Sequence, residues 1–254
     1  MVQEPPVTAP PEGRRARNRL VRHRDYLQTA LQVATDEGLA ALTMQRLARE
    51  VDAAVGTVYT YFPSKGALVA EVQREAVDRL PASYLLLRPV IEAKVADLDP
   101  SVAALAHLAG FARFTIDSAR TLSQEQRLLQ ALIAEAGDLV PAEEGSRVLP
   151  TVLRLLDLAR ERFDAAAAVG ALAPGDAMDR TIVLASALHG VLQVGKLARW
   201  DPELLDADRL ARLLVDDLLA GFGADRALLA QAHVVIDAIA ARQDLARKIQ
   251  GGER

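Results

Sequence analysis

Hydroxyl, aromatic and cationic side chains are concentrated in residues 55–65, where the sequence reads VGTVYTYFPSK. Thr57, Tyr59 and Thr60 carry hydroxyl or methyl groups of the kind that contact phosphates and base edges in DNA grooves. Ser64 is a typical N-cap residue and is followed by Lys65, so a helix start with exposed amides lies beside a cation and suits a phosphate. These residue types indicate contact with a polyanion rather than the making and breaking of bonds.

Two short helices joined by a tight turn are predicted to position this segment. Thr43 caps the first helix, and Asp52 supplies the turn because Asp tolerates the left-handed backbone conformation. The second helix spans residues 54–61. At helical spacing, the inward side chains are Met44, Leu47, Ala48, Val51, Val58 and Phe62. The remaining side chains of the second helix lie on or beside the opposite face, which is the layout of a DNA-reading helix-turn-helix.

The ordered string resembles the DNA-binding domain of the tetracycline-repressor (TetR) family of bacterial transcriptional regulators. The resemblance covers residues 25–72 and includes DEGL at 36–39, LT at 42–43, GTVY at 56–59 and YFPSK at 61–65. Two positions depart from the family pattern: Asp52 stands where glycine is usual, and Ala54 stands where Ser or Thr caps the second helix. The missing cap costs about 1 kcal/mol, and the two changes affect the DNA contacts more than the fold.

The resemblance implies that the second helix of the motif enters the major groove. Val55 and Thr57 suit thymine methyl groups, and Thr60 suits a base edge. The complete set of predicted DNA-binding residues is Arg17, Arg19, Thr43, Val55, Gly56, Thr57, Tyr59, Thr60, Tyr61 and Lys65. The alternative is an ordinary helical hairpin in an all-helical core, with Tyr59 as a core aromatic and Lys65 as a solvated charge.

Six arginines and no acidic residue lie between Gly13 and Arg24, directly before the motif. Such a run is either a solvated tail or an arm that follows phosphates or enters a minor groove, and its position favours DNA. The chain carries a net charge of −4, but nine basic residues outnumber seven acidic ones up to Gly66, and the remainder has 21 basic and 27 acidic residues. Positive charge is therefore concentrated at the motif.

The composition predicts an all-α protein, since 51% of residues are hydrophobic and long stretches follow the helical period. Cysteine is absent, the four histidines are scattered, and no phosphate-binding loop or nucleophile motif is present. We therefore expect neither an enzyme nor a metal or cofactor. The Pro-rich, acidic N-terminus is unlike a secretion signal, and His189, Gln193 and Lys196 interrupt the longest apolar stretch, so a cytoplasmic protein is expected.

The predicted domains are a disordered lead with the start of the basic arm (1–16), a three-helix helix-turn-helix DNA-binding domain (17–66) and a larger helical ligand-binding and dimerisation domain (67–250). Pro, Gly and capping residues give the helix boundaries in the larger domain. The predicted signals are an interruption near Pro81, a cap at Asp99, a capping box of Ser123 with Gln126, an opening at Pro141, and stops at Gly170 and Gly221.

The resemblance also implies that the last two main helices pair with those of a second subunit as a four-helix bundle. Two recognition helices on one DNA face need centres about 34–36 Å apart, which independently favours an isologous homodimer and a near-palindromic operator. The predicted interface residues are Ile182, Ala185, Leu188, His189, Leu192, Leu210, Leu213, Leu214 and Leu218. The alternative is that these stripes are buried within one subunit.

Family members typically bind a small, often lipophilic effector that weakens DNA binding. The candidate pocket residues are His107, Phe111, Arg113, Phe114, Leu129, Leu132, Phe163 and Gln193, with membership of the core as the alternative for each. The predicted function is a dimeric transcriptional repressor that such an effector releases from its operator. An activator or ligand-independent regulator with the same DNA-binding head, and an all-helical protein-interaction module, remain alternatives.

Overall fold

The computed structural model describes residues 11–134 and 142–251, with side chains over 13–131 and 148–241. Within these ranges the chain is helical and contains no strand, as the composition predicts. The chain divides into two compact units. One takes in the described residues up to Ala76 together with Leu132–Val148, and the other takes in Val77–Ala131 and the described residues from Leu149 onward.

The first unit contains the predicted helix-turn-helix. Helix α1 spans Pro11–Glu37, and a 3₁₀ turn at Leu39–Ala41 leads into α2, Met44–Glu50, and α3, Val55–Tyr59. Helix α4 begins at Lys65 and ends at Val95. The core side chains of this unit include Leu31, Leu42, Leu47, Val58, Phe62 and Leu68.

Helix α1 begins at Pro11, so the arginines between Gly13 and Arg24 lie on a helix that continues into the motif. The sequence prediction placed a disordered lead over residues 1–16, and residues 1–10 of that stretch lie outside the described residues. Arginine and alanine are good helix formers, which accounts for a helix that extends upstream of its buried part.

Six further helices follow in the described residues: α5 at Pro100–Thr121, α6 at Ser123–Ala134, α7 at Ala142–Ala168, α8 at Ala177–Gly195, α9 at Ala207–Gly221 and α10 at Arg226–Gly251. A 3₁₀ turn, Lys196–Arg199, extends α8. In the second unit, α5 packs against α8, α9 and α10 around a core that includes Leu105, Leu108, Phe163, Leu184, Leu188 and Leu219.

The predicted interruption near Pro81 is wrong, because α4 continues through both Pro81 and Pro89 to Val95. Each proline removes one backbone donor from the helix. Beyond residue 76, buried side chains recur on one face of α4 at Val77, Leu80, Tyr84, Ile91 and Val95. Burial of this apolar stripe is worth more than the two missing hydrogen bonds.

Helix ends are predicted correctly where the signal is local. Asp99 caps α5 by accepting from the amide of Ser101 at 2.8 Å, and Gly170 stops α7 with a φ of 76°. The capping box at Ser123 is wrong, because Ser123 is already helical and the Gln126 side chain donates to Ser118 Oγ. Gly221 is the last residue of α9; the left-handed residue is Gly223, with a φ of 100°. Pro141 lies outside the described residues.

One helical stretch, Ala177–Arg199, has the length and apolar composition of a membrane span, and only 22% of its most apolar window is buried. A core helix of a soluble domain can have the same length and apolar composition, but it is mostly buried. The low burial here shows that α8 presents apolar side chains to its surroundings.

The turn between α2 and α3 places Asp52 at a φ of 47°, the only non-glycine residue with a positive φ among the described residues. The amide of Ala53 donates to the carbonyl oxygen of Ala48 at 2.9 Å, which is the long hydrogen bond of a Schellman motif. The prediction that Asp52 forms a left-handed turn is confirmed.

We expect Asp52→Gly to preserve or raise the stability of the motif, because glycine adopts this conformation without strain. We expect Asp52→Val to lower it by about 1–2 kcal/mol, since a β-branched residue clashes at positive φ. Amide hydrogen exchange over residues 44–62 measures both changes. Asp25→Val, at an exposed helical position, is the control; equal effects of the two valine variants would contradict the prediction.

Candidate DNA interface

Two fully buried side chains hold the short helix α3 in the first unit. Val58, on α3, and Phe62, three residues after the helix ends, are both 0% exposed, so they fix α3 against the core. The His23 ring lies 5.1 Å from the Phe62 ring, which adds a contact with α1. The orientation of α3, and therefore of its opposite face, is set by these contacts.

Hydrogen bonds at the neighbouring helix ends complete this support. Thr43 Oγ1 accepts from the amide of Arg46 at 3.0 Å and Ser64 Oγ accepts from the amide of Ala67 at 3.0 Å, so both predicted N-caps are confirmed. Ala54, the residue before α3, makes no side-chain capping bond. Helix α3 therefore depends on packing and on the turn at Asp52.

The outward face of α3 carries the predicted contact residues at different exposures. Gly56, Tyr59 and Thr60 are exposed, and Tyr59 is 48% accessible. Val55 and Thr57 are half-buried. This face is small and uncharged, so it suits methyl and hydroxyl contacts in a groove.

Two of the predicted contact residues have structural roles that the sequence did not indicate. Thr60 Oγ1 donates to the carbonyl oxygen of Thr57 at 2.7 Å, which leaves its lone pairs to accept from a base or a water. The Tyr61 ring lies 5.1 Å from the Tyr26 ring in an edge-on arrangement. Tyr61 therefore anchors the end of α3 to α1, and only part of its surface is exposed.

The basic segment of α1 lies beside the end of α3. Arg15, Asn18, Arg19 and Arg22 follow the i, i+3, i+4, i+7 spacing of one helix face, and together with Thr60 and Tyr61 they line an open cleft of about 410 Å³. We call these four residues the α1 basic face. Asn18, Arg15 and Arg22 were missed in the sequence-based set; the helical spacing would have indicated them had α1 been extended upstream.

Arg19 connects the α1 basic face to α3. Its Nη2 donates to the carbonyl oxygen of Thr60 at 3.2 Å, and its guanidinium carbon lies 5.9 Å from the Tyr61 ring centre. Arg17 makes no such contact and is exposed on the same helix. Of the two arginines predicted from the sequence, Arg19 is therefore partly structural, while the Arg17 guanidinium points to solvent.

Two other basic side chains near the motif lie beside carboxylates. Arg46 bridges Glu37, at 2.6 Å, and Glu50. His23 Nε2 lies 3.2 Å from Glu71. Lys65 is exposed at the first residue of α4, beside the amides of the Ser64-capped turn, and Arg49 is exposed on α2. The cationic surface of this unit thus includes the α1 arginines, Arg49 and Lys65.

In the second unit, the predicted pocket residues do not line one cavity. His107, Phe111 and Phe114 follow one face of α5, and the two Phe rings contact the Tyr84 ring at 5.1 and 5.3 Å. Phe163 is fully buried and packs on Phe222, so it belongs to the core. Leu129 is half-buried on α6, and the side chain of Leu132 lies outside the described residues.

The other two predicted pocket residues are Arg113 and Gln193. Arg113 pairs with Asp117 at 2.8 Å and lines a cavity of about 200 Å³ between α5, α9 and α10. Gln193 accepts from Lys196 at 2.8 Å, and Lys196 lines a wider cleft of about 620 Å³. Among the described residues, no group of three His, Asp or Glu side chains is arranged to hold a metal ion.

The predicted interface residues divide between two faces of α8 and α9. Leu188 is fully buried and Leu192 is 9% exposed, so both belong to the chain's own core and are no longer proposed for a subunit contact. Ile182 and Leu213 are exposed. The rest, Ala185, His189, Leu210, Leu214 and Leu218, are half-buried. The predicted residues of α8 differ in exposure because this helix carries apolar stripes on two faces, one of which is buried in the core.

Residues 27–72, from α1 through the first turns of α4, match the family model described as bacterial regulatory proteins, tetR family. The match contains the Asp52 turn, the anchored α3 and the Ser64 cap described above. This segment is similar to the DNA-binding domain of the tetR family of bacterial regulatory proteins. A domain of this type supports a role in transcriptional regulation.

Solved structures similar to this chain have the same fold at low sequence identity. A candidate tetR-family regulator from Mesorhizobium loti is 19% identical, with a TM-score of 0.53, and the match covers 80% of this chain and 96% of that one. SmeT, the repressor of the Stenotrophomonas maltophilia multidrug efflux pump SmeDEF, is 19% identical, with a TM-score of 0.50 and coverage of 79% and 89%.

A third similar structure contains a small molecule. It is a candidate transcriptional regulator from Saccharomonospora viridis in complex with choline, 16% identical, with a TM-score of 0.53 and coverage of 78% and 95%. A comparison with curated protein sequences gave no significant match. At these identities the solved structures establish the fold of the chain and leave its ligand and operator open.

Proposed function

We propose that this chain is a homodimeric tetR-family repressor that binds a near-palindromic operator and is released from it by a small apolar effector. The observation that carries the proposal is the exposed, uncharged face of α3, fixed from behind by Val58 and Phe62 and flanked by the α1 basic face. This pairing of a groove-sized helix with a line of cations matches what DNA presents, base edges beside phosphates.

Phosphate contacts supply affinity, and base contacts supply specificity. The arginines of α1, with Lys65, are placed to neutralise phosphates, and Thr43 and Tyr59 are proposed to position the domain. Sequence is read by Val55 and Thr57 at thymine methyl groups, by Thr60 as an acceptor and by close approach of the backbone at Gly56. Tyr61 contributes chiefly by holding α3 in place.

Selection of bound sequences from a random duplex DNA library, with the full-length protein at moderate salt, tests this function. We expect enrichment of an inverted repeat whose half-site centres lie about 34–36 Å apart, or a multiple of the helical turn. The variant Thr57→Ala should lose preference at thymine positions, and Asp25→Ala, on the same unit, should not. Binding without any enriched motif, abolished by salt, would instead favour the alternative of an all-helical interaction module.

The arginines of α1 generate a second expectation. Replacing Arg15 and Arg17 with alanine should flatten the slope of log affinity against log salt concentration by about two phosphate contacts, roughly 0.9 each. Arg19 is kept in this variant because it also bonds Thr60. The control replaces Arg209 and Arg212, which lie in the second unit. An unchanged slope in the Arg15/Arg17 variant would remove these residues from the interface.

The proposed dimer uses an apolar surface that one copy of the chain leaves exposed. On α8 the side chains Ile182, Val183 and Val194 are exposed, with Ser186 and Gly190 between them, and Leu197 is exposed on the 3₁₀ turn that extends this helix. We call this set the α8 outer face. Leu213 on the neighbouring α9 is 53% exposed.

Gly190 gives the α8 outer face a feature that fits a second helix. Mid-helix glycine costs about 1 kcal/mol relative to alanine, and apart from the neighbouring backbone of α8, a Cβ at this position would meet no atom of the described residues within 4 Å. Packing inside one copy does not require this glycine. A helix of a second subunit crossing here would use the space, and the same contact would cover the apolar side chains that otherwise give α8 the composition of a membrane span.

We expect Ile182→Glu and Leu213→Glu each to raise the dimer dissociation constant at least 100-fold, because a two-fold interface places every substitution in contact twice. Sedimentation velocity at micromolar concentration measures the change. Val234→Glu is the matched control, since Val234 is 68% exposed on α10 and lies outside the α8 outer face. A wild-type chain that sediments as a monomer would contradict the proposed dimer outright.

Repression and effector release form the regulatory part of the proposal. The similarity to a solved repressor supports repression, and the similarity to a solved regulator in complex with choline supports a small-molecule effector. An activator uses the same DNA-binding head, and the position of the selected operator relative to a promoter distinguishes the two. The proposal assigns no catalytic step, metal or cofactor, and it places the protein in the cytoplasm with the operator.

A further inference from the structure

Three buried polar atoms in the second unit have no hydrogen-bond partner among the described residues. They are Tyr84 Oη on α4, His107 Nδ1 on α5 and Arg162 Nε on α7. Tyr84 is 0% exposed, and the Arg162 side chain is 17% exposed. Buried polar groups are nearly always paired, since an unpaired one costs more than a hydrogen bond gains. Three of them on three helices need an explanation.

The three groups converge on one cluster of aromatic and aliphatic side chains. Tyr84, Phe111 and Ala159 form a buried cluster, and His107 and Phe111 are four residues apart on α5. Arg162 is three residues from Ala159 on α7, so it lies on the same helix face. The Tyr84 ring meets the Phe111 ring at 5.1 Å and the Phe114 ring at 5.3 Å. Phe111, Phe114 and Ala159 form the apolar side of the cluster. The polar atoms of Tyr84, His107 and Arg162, on the same helix faces, form what we call its polar end.

The electrostatic surroundings of Tyr84 and His107 agree with this placement. Burial raises the pKa of Tyr84 to about 12, and the largest opposing effect on that pKa comes from the Arg162 guanidinium. Burial lowers the pKa of His107, and Arg162 is again the largest charge effect. Arg88 and Glu92 act on both groups. The phenol and the imidazole are therefore neutral near pH 7 and face the same cation.

The hydrogen-bonding capacity of this polar end defines what it can bind. The Tyr84 hydroxyl can donate, and the Nε–H of Arg162 can only donate. The outer nitrogen of Arg162 contacts Glu161 at 3.3 Å, and Arg88 contacts Glu92 at 3.1 Å, so these acids engage the solvent side of the arginines. Two donors, one of them on a partly buried cation, favour an anionic group with two acceptor oxygens. A carboxylate is such a group.

We propose that Tyr84, His107 and Arg162 bind the carboxylate of an apolar monocarboxylic acid, whose hydrocarbon or aromatic body lies against Phe111 and Phe114. The proposal names the chemical class of the effector and rests on the proposed function of a ligand-responsive regulator. Tyr84 and Arg162 donate to the carboxylate oxygens, and the protonated ring nitrogen of neutral His107 donates when it is Nδ1.

Calorimetric titration of the full-length protein without DNA tests the proposal. The probes are straight-chain acids from hexanoate to dodecanoate and 4-phenylbutyrate, each paired with its primary amide, with choline chloride as a separate probe. We expect at least one acid to bind at least tenfold more tightly than its amide. Equal binding of acid and amide, binding of choline alone, or no binding of any acid would overturn the proposal.

Matched variants assign the binding to these atoms. Tyr84→Phe removes one hydroxyl and should weaken acid binding about fivefold to tenfold, while the ligand-free protein keeps or gains thermal stability because a buried unpaired hydroxyl is gone. Arg162→Lys keeps the charge, loses the Nε donor and should weaken acid binding at least tenfold. The controls are Arg160→Lys, whose guanidinium pairs with Asp157 and Asp164, and Thr115→Val, whose hydroxyl bonds the Phe111 carbonyl.

Unchanged acid binding in Tyr84→Phe would also overturn the proposal. Circular dichroism shows whether Arg162→Lys folds, and if it does not, the Tyr84→Phe variant still tests the site. Because no DNA is present, the result is independent of operator selection. Failure to select an operator with intact acid binding would affect the proposed function alone. Selection of an operator with no acid binding would affect this inference alone.

Discussion

The reading surface depends on the burial of Val58 and Phe62. Helix α3 has five residues, and a helix of that length does not form by itself because nucleation costs more than so few hydrogen bonds return. Its position is therefore imposed by tertiary contact: the buried Val58 on the helix and the buried Phe62 just after it, the Asp52 turn before it and the Arg19 bond to Thr60. These contacts set the orientation of the outward face.

The proposed interface combines a neutral helix with a charged one. On the outward side of α3, Gly56, Tyr59 and Thr60 leave an uncharged surface. Positive charge is instead carried by α1, which continues upstream as a helix and places Arg15, Arg19 and Arg22 on one face. Tyr61 and Arg19 join the two elements at the point where they meet.

The sequence predicted features whose cause is local and missed those decided by packing. Thr43, Asp52 and Ser64 act within three residues of themselves, so their caps and turn could be predicted. Pro81 is also a local signal, but the buried stripe of α4 outweighs it, and a single sequence does not give the strength of that burial.

The candidate sites follow the same division. Helical spacing showed that Leu188 and Ile182 belong to apolar stripes of α8. It could not show that the stripe with Leu188 faces the core and that the stripe with Ile182 faces outward. Residue type led to His107, Phe111 and Phe114 as pocket candidates, but not to Tyr84 and Arg162. These two lie on different helices, and nothing in their own sequence neighbourhoods indicates that their unpaired polar atoms belong to one proposed site.

The unpaired atoms of the second unit bear on how an effector can act at all. A ligand shifts an equilibrium only by its difference in affinity for two states. Tyr84, His107 and Arg162 lie on three helices, so an acceptor that engages them together favours the arrangement in which α4, α5 and α7 present all three at once. Pro81 and Pro89 flank Tyr84 on α4, and each lacks a backbone donor there, which makes this stretch of the helix easier to bend than a fully bonded one. A small displacement of Tyr84 toward a bound carboxylate therefore costs less than it would in an unbroken helix, and α4 is the same helix that begins at Lys65, directly after the anchor of α3.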